Sequence, residues 1–351
     1  MKMKKYQIVE IEENEHHAGS KATQDVGAVA EKMGYETIYL KAVTKKEGII
    51  PKIQRQIGYF FGWNACYSAI EENSLVLLQH PFHHPQLTRE KTLKKLKEKK
   101  HAKFICLVHD VEELRAYRYN NYYAKEFSFM LEIMDVIIVH NEKMKSFFCG
   151  RGVPEDKIVT LEIFDYLQDV EKELPKYEKS ITVAGNLDSQ KAEYISKLDQ
   201  LNIKVHLYGP NCDEALKNSE NIIYHGVFPA DSLPEYLNSG FGLVWDGSSI
   251  DGCQGKAGQY IRYNNPHKLS LYLSSGLPVV IWEEAAEAGF VEDHKVGICI
   301  DSLSNLKTAL EQLDEVEYNS MASNAADLAE LLRKGHFAQT AIDAAQKRLG
   351  C

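Results

Sequence analysis

The feature that most constrains this chain is an alternation of strand-like and helix-like segments running almost from end to end. In the first half the strand candidates are YQIVEIE, ETIYLKAV, SLVLLQH, FICLVHD and VIIVHN. Helix candidates lie between them at residues 21–33, 48–72, 88–100, 126–134 and 142–149. In the second half the strand candidates are SITVAGN, KVHLYGP, NIIYHG, FGLVWDG, PVVIWEE and VGICID, again with helices between. These runs are short and apolar without clean alternation, as expected where helices cover both faces of a sheet. Such repetition means βαβ units and parallel sheets. Eleven strands are too many for one sheet of usual width. The expected fold class is therefore α/β with two wound domains.

The break is expected near residues 165–178, where the chain is polar, carries Pro175 and lacks an apolar face. This gives a first domain over residues 1–168 and a second over 178–325. The tail from about residue 317 has apolar residues at helical spacing, and residues 326–351 are expected to cross back and brace the first domain. A length of 351 residues suits two such domains. Of the net charge of −9, residues 1–170 carry about +1 and residues 171–351 about −10, an asymmetry that agrees with two units, and the net value argues against a general nucleic-acid partner. No run approaches eighteen apolar residues, and MKMKK leads straight into a strand-like segment, so neither a membrane span nor a signal peptide is expected. The cysteines (66, 106, 149, 212, 253, 299 and 351) are odd in number and form no CxxC pair. They read as small buried hydrophobes of a reducing compartment, the cytoplasm.

Ligands of open parallel sheets bind beyond the carboxyl ends of the strands. After SITVA come Gly185-Asn186-Leu187-Asp188 and an expected helix, whose N-terminus would offer N–H groups to phosphate. An ordinary strand–helix turn would look alike. After KVHL comes Tyr208-Gly209-Pro210-Asn211, and after FGLVW comes Asp246-Gly247-Ser248-Ser249, so three strand ends are small, polar and glycine-bearing. The richest segment is Tyr263-Asn264-Asn265-Pro266-His267-Lys268. Pro266 suits a first helical turn, with Asn265 as its N-cap and Lys268 within that turn. A lysine there opposes the helix dipole unless an anion is present, and a diphosphate would resolve the conflict. A cap plus a solvent lysine is the plainer alternative.

In the first half, FICLVH ends in His109-Asp110, and a carboxylate at the tip of a central strand suits a general base for transfer to a hydroxyl. Capping of the next helix is the alternative for Asp110, and Glu13, His16 and Asp25 are rival bases. Beyond the first strand, Gly19 and Ser20 suit approach to a phosphate or sugar, and Lys21 suits a leaving-group charge. His80, His83 and His84 crowd one loop, but no HExxH, CxxC or DxD accompanies them, and no metal site is expected. Lys91, Lys94, Lys95, Lys97, Lys99, Lys100 and Lys103 form either a solvated helix face or a patch for anionic lipid headgroups. The second would serve a transferase that docks peripherally at the inner face of the membrane.

The string FGLVWDGSSIDGCQGKAGQYIRYNNPHKLSLYLSSGLPVVIW, with VHDVEELR, IFDYL, VAGNL and AGSKATQD, resembles bacterial β-1,6-galactofuranosyltransferases of surface-polysaccharide assembly. More distantly, HDV, GFGLVW and LRKGHF resemble the glucosyltransferases that extend glycans on streptococcal serine-rich adhesins. These motifs spread in order over nearly the whole chain. The resemblance implies the GT-B fold: two Rossmann-like domains facing across a cleft, an N-terminal acceptor domain and a C-terminal nucleotide-sugar domain, with C-terminal helices crossing back. It implies donor contacts at Gly185, Asn186, Tyr208, Asn265, His267 and Lys268, and a sugar-side pocket lined by Asp246 and Gly247. Lys21 and Asp25 would face the cleft. Many retaining enzymes of this fold carry a paired glutamate where this chain has Leu271, so the resemblance favours an inverting displacement.

The implied activity is metal-independent transfer of galactofuranose from UDP-galactofuranose to a hydroxyl of a glycan or lipid-linked acceptor. The alternatives are UDP-glucose or another UDP-hexose as donor, or a non-catalytic partner that binds sugar nucleotides. The UDP-sugar is a substrate and no cofactor is implied; a homodimer is left open.

Overall fold

The computed structural model describes residues 3–11, 18–41, 48–82, 84–116, 119–170 and 173–351; the side chains of residues 11 and 18–20 fall outside that description. The chain begins β1 (Lys5–Ile11), α1 (Ala18–Lys32), β2 (Glu36–Lys41), α2 (Ile49–Ala69), β3 (Leu75–His80), α3 (Arg89–Lys100) and β4 (Lys103–Val108). It continues α4 (Glu112–Arg115), α5 (Asn121–Ile133), β5 (Val136–Val139), α6 (Glu142–Gly150) and β6 (Ile158–Thr160). Next come β7 (Lys176–Ala184), β8 (Lys204–Tyr208), α7 (Glu214–Lys217), β9 (Ile222–Gly226) and β10 (Ser239–Val244). The remainder is α8 (Gly255–Tyr260), α9 (His267–Ser274), β11 (Val279–Trp282), α10 (Ala288–His294), β12 (Gly297–Ile300), α11 (Leu306–Gln312), α12 (Glu315–Lys334) and α13 (His336–Arg348).

Two six-stranded sheets result, ordered β2-β1-β3-β4-β5-β6 and β12-β11-β10-β7-β8-β9, with parallel pairing throughout. The inner strands are apolar and buried along almost their whole length, as in β3, β4 and β10. This is the burial of sheets covered on both faces, and it explains why the sequence shows runs instead of alternation. Two compact units carry the sheets. The first comprises Met1–Glu113, Arg118–Leu161 and Ala338–Cys351; the second comprises Leu114–Tyr117 and Glu162–Phe337. The C-terminal residues thus belong to the first unit. Lys103 donates to the Leu349 carbonyl (2.6 Å), Arg348 donates to the carbonyls of Glu155 and Asp156, and Ala341, Ile342 and Ala345 are buried.

Three details differ from the sequence reading. Among the described residues there are twelve strands; β6, only three residues long, pairs with β5 and is too short to show a pattern. The expected linker near 165–178 is partly strand, because β7 begins at Lys176 with the polar residues of KYEK still outside the core. The helical tail is broken at Gly335, whose φ of 82° ends α12 and starts α13 on a new axis.

Candidate active site

In the second unit the chain enters at β7, winds through β8 to β9, then crosses to the other side for β10, β11 and β12. The order therefore reverses between β7 and β10, and a crevice opens at their carboxyl ends. Gly185-Asn186 leave β7 there, and Trp245-Asp246-Gly247 leave β10.

Helix α9 is brought to the same place by two contacts. At Gly242 in β10 an added Cβ would lie 2.1 Å from the Tyr272 ring, so only glycine lets α9 pack this closely. The Tyr272 hydroxyl then accepts the backbone N–H of Ala184, the last residue of β7 (2.8 Å). Lys268 precedes Tyr272 by four residues and shares its helix face. Its ammonium is 3.4 Å from the Trp245 carbonyl, and a Cβ at Gly185 would touch its Cε at 3.7 Å. A cation therefore stands between the two strand ends, in the first turn of α9, where the Leu269 N–H donates to the Pro266 carbonyl (2.9 Å).

Around it, Asp246 accepts the Gly247 N–H (2.7 Å), while its own N–H meets Cys253 Sγ at 3.5 Å. Gly247 has φ 99°, and a Cβ there would lie 2.0 Å from the Gln254 carbonyl, so the loop folds back on itself only with glycine. Asn186 is exposed and accepts from the Asn211 amide (2.8 Å). Tyr208 adjoins Gly185 through its backbone, its carbonyl accepting the Gly185 N–H (2.9 Å). Its side chain is stacked on His225 (centroids 4.3 Å apart), and burial pushes its hydroxyl up to about 12. His267 packs on Tyr166 at 5.1 Å and Phe164 at 6.3 Å.

Two local expectations are corrected. Asn265 is not the N-cap of α9. That position is held by Pro266 with φ −65° and ψ 126°, and the buried Asn265 donates instead to the Glu162 carbonyl (2.8 Å). The segment after Gly185 is not an α-helix either. The chain passes through turns and then 3₁₀ turns over Glu193–Leu201, so the leading N–H groups of α9 are the helix terminus at this crevice.

In the first unit the reversal falls between β1 and β3. Helix α1 starts beyond β1, and its Lys21 pairs with Asp25 at 2.8 Å, both side chains at or below 9% exposure. From the end of β3, Gln79 donates to the Thr23 carbonyl of α1 (3.2 Å) and shares a 2.6 Å hydrogen bond with His109 Nε2. Half-buried Asp110 follows His109 directly, just past β4. Lys21, Asp25, His109 and Asp110 are thus gathered at one sheet end by Gln79, which sequence reasoning missed; a polar residue inside the apolar run LVLLQH is its only signal. Nearby, His140 Nε2 lies 3.0 Å from the Val108 carbonyl, and burial lowers the imidazole to about 4.

Gly19 and Ser20 lie in the first turn of α1, with side chains outside the described residues; Glu13, Glu15, His16, His17 and His83 are outside them altogether. His80 faces Glu126 at 3.1 Å, both buried, with Arg89 at 3.7 Å from the same carboxylate. Burial would raise Glu126, but His80 and Arg89 outweigh it and hold the carboxyl below its ordinary value. Among the described residues no three His, Cys, Asp or Glu side chains converge as metal ligands. None of the described helices is long and apolar enough to cross a membrane. Of the lysine cluster, Lys94 pairs with Glu132, Lys97 with Asp135, and Lys100 and Lys103 donate to backbone carbonyls; Lys91, Lys95 and Lys99 stay exposed.

Comparison with known proteins bears on this geometry. The model of the glucosyltransferase 3-like N-terminal domain matches residues 5–163, and that of the C-terminal domain matches residues 181–345. The chain is 28% identical to the beta-1,6-galactofuranosyltransferase WbbI of Escherichia coli strain K12 over 353 residues, covering 96% of this chain and 97% of that protein. It is 25% identical to glucosyltransferase 3 of Streptococcus gordonii over 246 residues, covering 69% and 70%. Among solved structures, the lipopolysaccharide outer core galactosyltransferase WaaB superposes with TM-score 0.62 at 12% identity over 97% of this chain and 99% of that one. Anabaena HepE with UDP-glucose gives 0.59 at 10% identity over 99% and 100%. The fold is that of the GT-B glycosyltransferases.

Proposed function

We propose that this chain, which belongs to the glucosyltransferase 3-like family, transfers galactofuranose from UDP-galactofuranose to a hydroxyl of a glycan or lipid-linked oligosaccharide. That it is a glycosyltransferase using a UDP-sugar follows from its relatives; the sugar, acceptor and residue roles are our reading. The observation that carries it is the position of Lys268 at the start of α9, between the ends of β7 and β10.

A lysine in a first helical turn is electrostatically unfavourable until an anion arrives, and a diphosphate supplies two negative groups. Lys268, at the start of α9, then neutralises charge on the departing UDP without a metal. Gly185 and Asn186 present backbone to the nucleotide, and Asp246 and Gly247 border the sugar. In the first unit Asp110 takes the proton of the acceptor hydroxyl, with His109 held by Gln79 beside it. The hydroxyl oxygen attacks the anomeric carbon, the bond to the diphosphate oxygen breaks, and its electron pair leaves with UDP. A single displacement inverts the anomeric centre, in keeping with Leu271 in place of a glutamate.

Identity to WbbI along nearly the whole chain supports galactofuranose. Identity to the streptococcal glucosyltransferase supports UDP-glucose as a second reading. A donor screen separates them: UDP release onto an alkyl-glucoside acceptor is followed with UDP-galactopyranose plus its mutase, and with UDP-glucose. Release that requires the mutase is expected. Release with UDP-glucose alone would replace the first reading by the second.

A further inference from the structure

Helix α2 turns a continuous apolar face to solvent. Ile49, Ile50, Ile53, Ile57, Phe60 and Phe61 recur at helical spacing, and Ile49 remains 79% exposed. The opposite face, with Tyr59, Trp63 and Cys66, is buried in the first unit. Leu87, 81% exposed, extends the apolar face, because its N–H is held by Gln56 of α2 (3.0 Å). Isolated exposed apolar side chains are ordinary, but a contiguous patch of this kind marks a contact surface.

Charge identifies what the face contacts. The 21 residues of α2 include no carboxylate, only Lys52 and Arg55. Beside it runs α3, whose Lys95 and Lys100 lie over the Tyr67 ring of α2 at 6.0 and 4.6 Å. Lys91, Lys95 and Lys99, spaced by four, form an exposed row on the α2 side of α3, while Glu90 and Glu98 share the Lys94 row. An apolar helix face rimmed by ammonium groups complements an anionic bilayer, where the rings and branched chains enter the headgroup boundary and the lysines meet lipid phosphates. An antiparallel isologous contact of α2 with a second copy would bring lysine row toward lysine row, which a bilayer does not. Since α2 is not apolar enough to span a bilayer, it would lie along the surface.

We infer that α2 and the exposed lysine row of α3 dock the protein onto anionic membrane surfaces, independently of which donor sugar it uses. The test is co-sedimentation of the full chain with phosphatidylcholine vesicles and with vesicles also containing phosphatidylglycerol. Binding is expected only to the anionic vesicles, weakening as salt rises. The pair Ile53→Asp and Phe60→Asp, on exposed positions, should reduce binding at least tenfold. Charge reversal of Lys91, Lys95 and Lys99 together should reduce it on the order of a hundredfold, at about fivefold per lysine. Circular dichroism melts of both variants should match the parent, since none of these side chains is buried.

Absence of binding to anionic vesicles, or equal binding to neutral ones, would overturn the inference. So would variants at Ile53 and Phe60 that dissociate an oligomer while leaving vesicle binding intact, which would make this face a contact between copies.

Discussion

The two units solve the same folding problem with different strand orders and different dressings. Both are six-stranded parallel sheets with one reversal of winding, between β1 and β3 in the first and between β7 and β10 in the second. In the first, long helices follow β1, β2 and β3, up to the 21 residues of α2, whereas β4 is followed by a four-residue helix, α4. In the second, the segments after β7 and β8 are 3₁₀ turns and the four-residue α7, so strand ends carry loops before any regular helix. Short dressings leave turns instead of helices at the crevice, where we propose the nucleotide binds. Long helices spend their polar backbone internally and offer side chains, such as the apolar face of α2, while His109 and Asp110 sit in the segment between β4 and the short α4. The first unit thus presents side-chain chemistry, the second backbone and one lysine.

The largest effect should come from breaking that division of labour on the first side. Asp110→Asn keeps the shape but removes the base we propose, and turnover should fall by about 10²–10⁴. UDP affinity, measured by calorimetry, should stay within twofold or so of the parent. Loss of UDP binding in this variant, or undiminished turnover, would remove Asp110 from the role of base. The complementary change is Lys268→Ala. Losing a charge-assisted contact of about 1.5–3 kcal/mol should weaken UDP binding roughly 10–100-fold. If UDP binding is unchanged, the diphosphate is held elsewhere.

How far these residues could be read from sequence depends on whether their signal is local. Each strand of four or more residues coincides with an apolar run; in the inner strands β3, β4 and β10 burial on both faces writes itself into composition, while the edge strands β2 and β9 stay largely uncovered. β6 was invisible at three residues. Lys268 was legible because its conflict with a helix dipole is set by its nearest neighbours. The cap of α9 was misread for a tertiary reason: Asn265 has the right side chain, but Glu162, far away in sequence, claims it. Gln79 was missed for a similar reason, since its partners Thr23 and His109 come from other elements. The exposed face of α2 was unreadable as exposed, because a helical stripe of Ile and Phe usually means core.

The units should also respond differently to acid. Burial lowers His140 to about 4 against an ordinary value of 6.5, so the unfolded chain binds the extra proton first. Its contribution is intact above pH 6.5 and is lost as pH falls toward 4, on the order of 3 kcal/mol in total. In the second unit burial would raise Glu178, but hydrogen bonds from Lys204, Ser180 and Ser239 outweigh it and hold the carboxyl at about 2. Its contribution is complete above about 4.5 and fades only as pH approaches 2. Hydrogen exchange at pH 5 should therefore show β4 and β5 less protected, relative to pH 7 and after correction for intrinsic rates, while β10 and β11 change little. His140→Gln should flatten the first unit's response; equal loss in both units would refute the assignment to His140.

The smallest expected effect contrasts two helix starts within the second unit. α12 has a full capping box: Asp314 accepts the Glu317 N–H (2.9 Å), and Glu317 accepts the Asp314 N–H (3.1 Å). α9 begins behind Pro266, which has no side chain able to cap it. A side-chain cap on α9 would compete with the diphosphate we propose there, whereas α12 is capped by its own residues. Asp314→Ala should cost about 1 kcal/mol, a fall of about 2–4 °C in melting temperature, with UDP affinity untouched. If UDP stabilises through α9, saturating nucleotide should raise the melting temperature of parent and Asp314→Ala protein by equal amounts. Unequal increments would show that the two helix starts are energetically coupled, and that the missing cap on α9 cannot be understood at its own position alone.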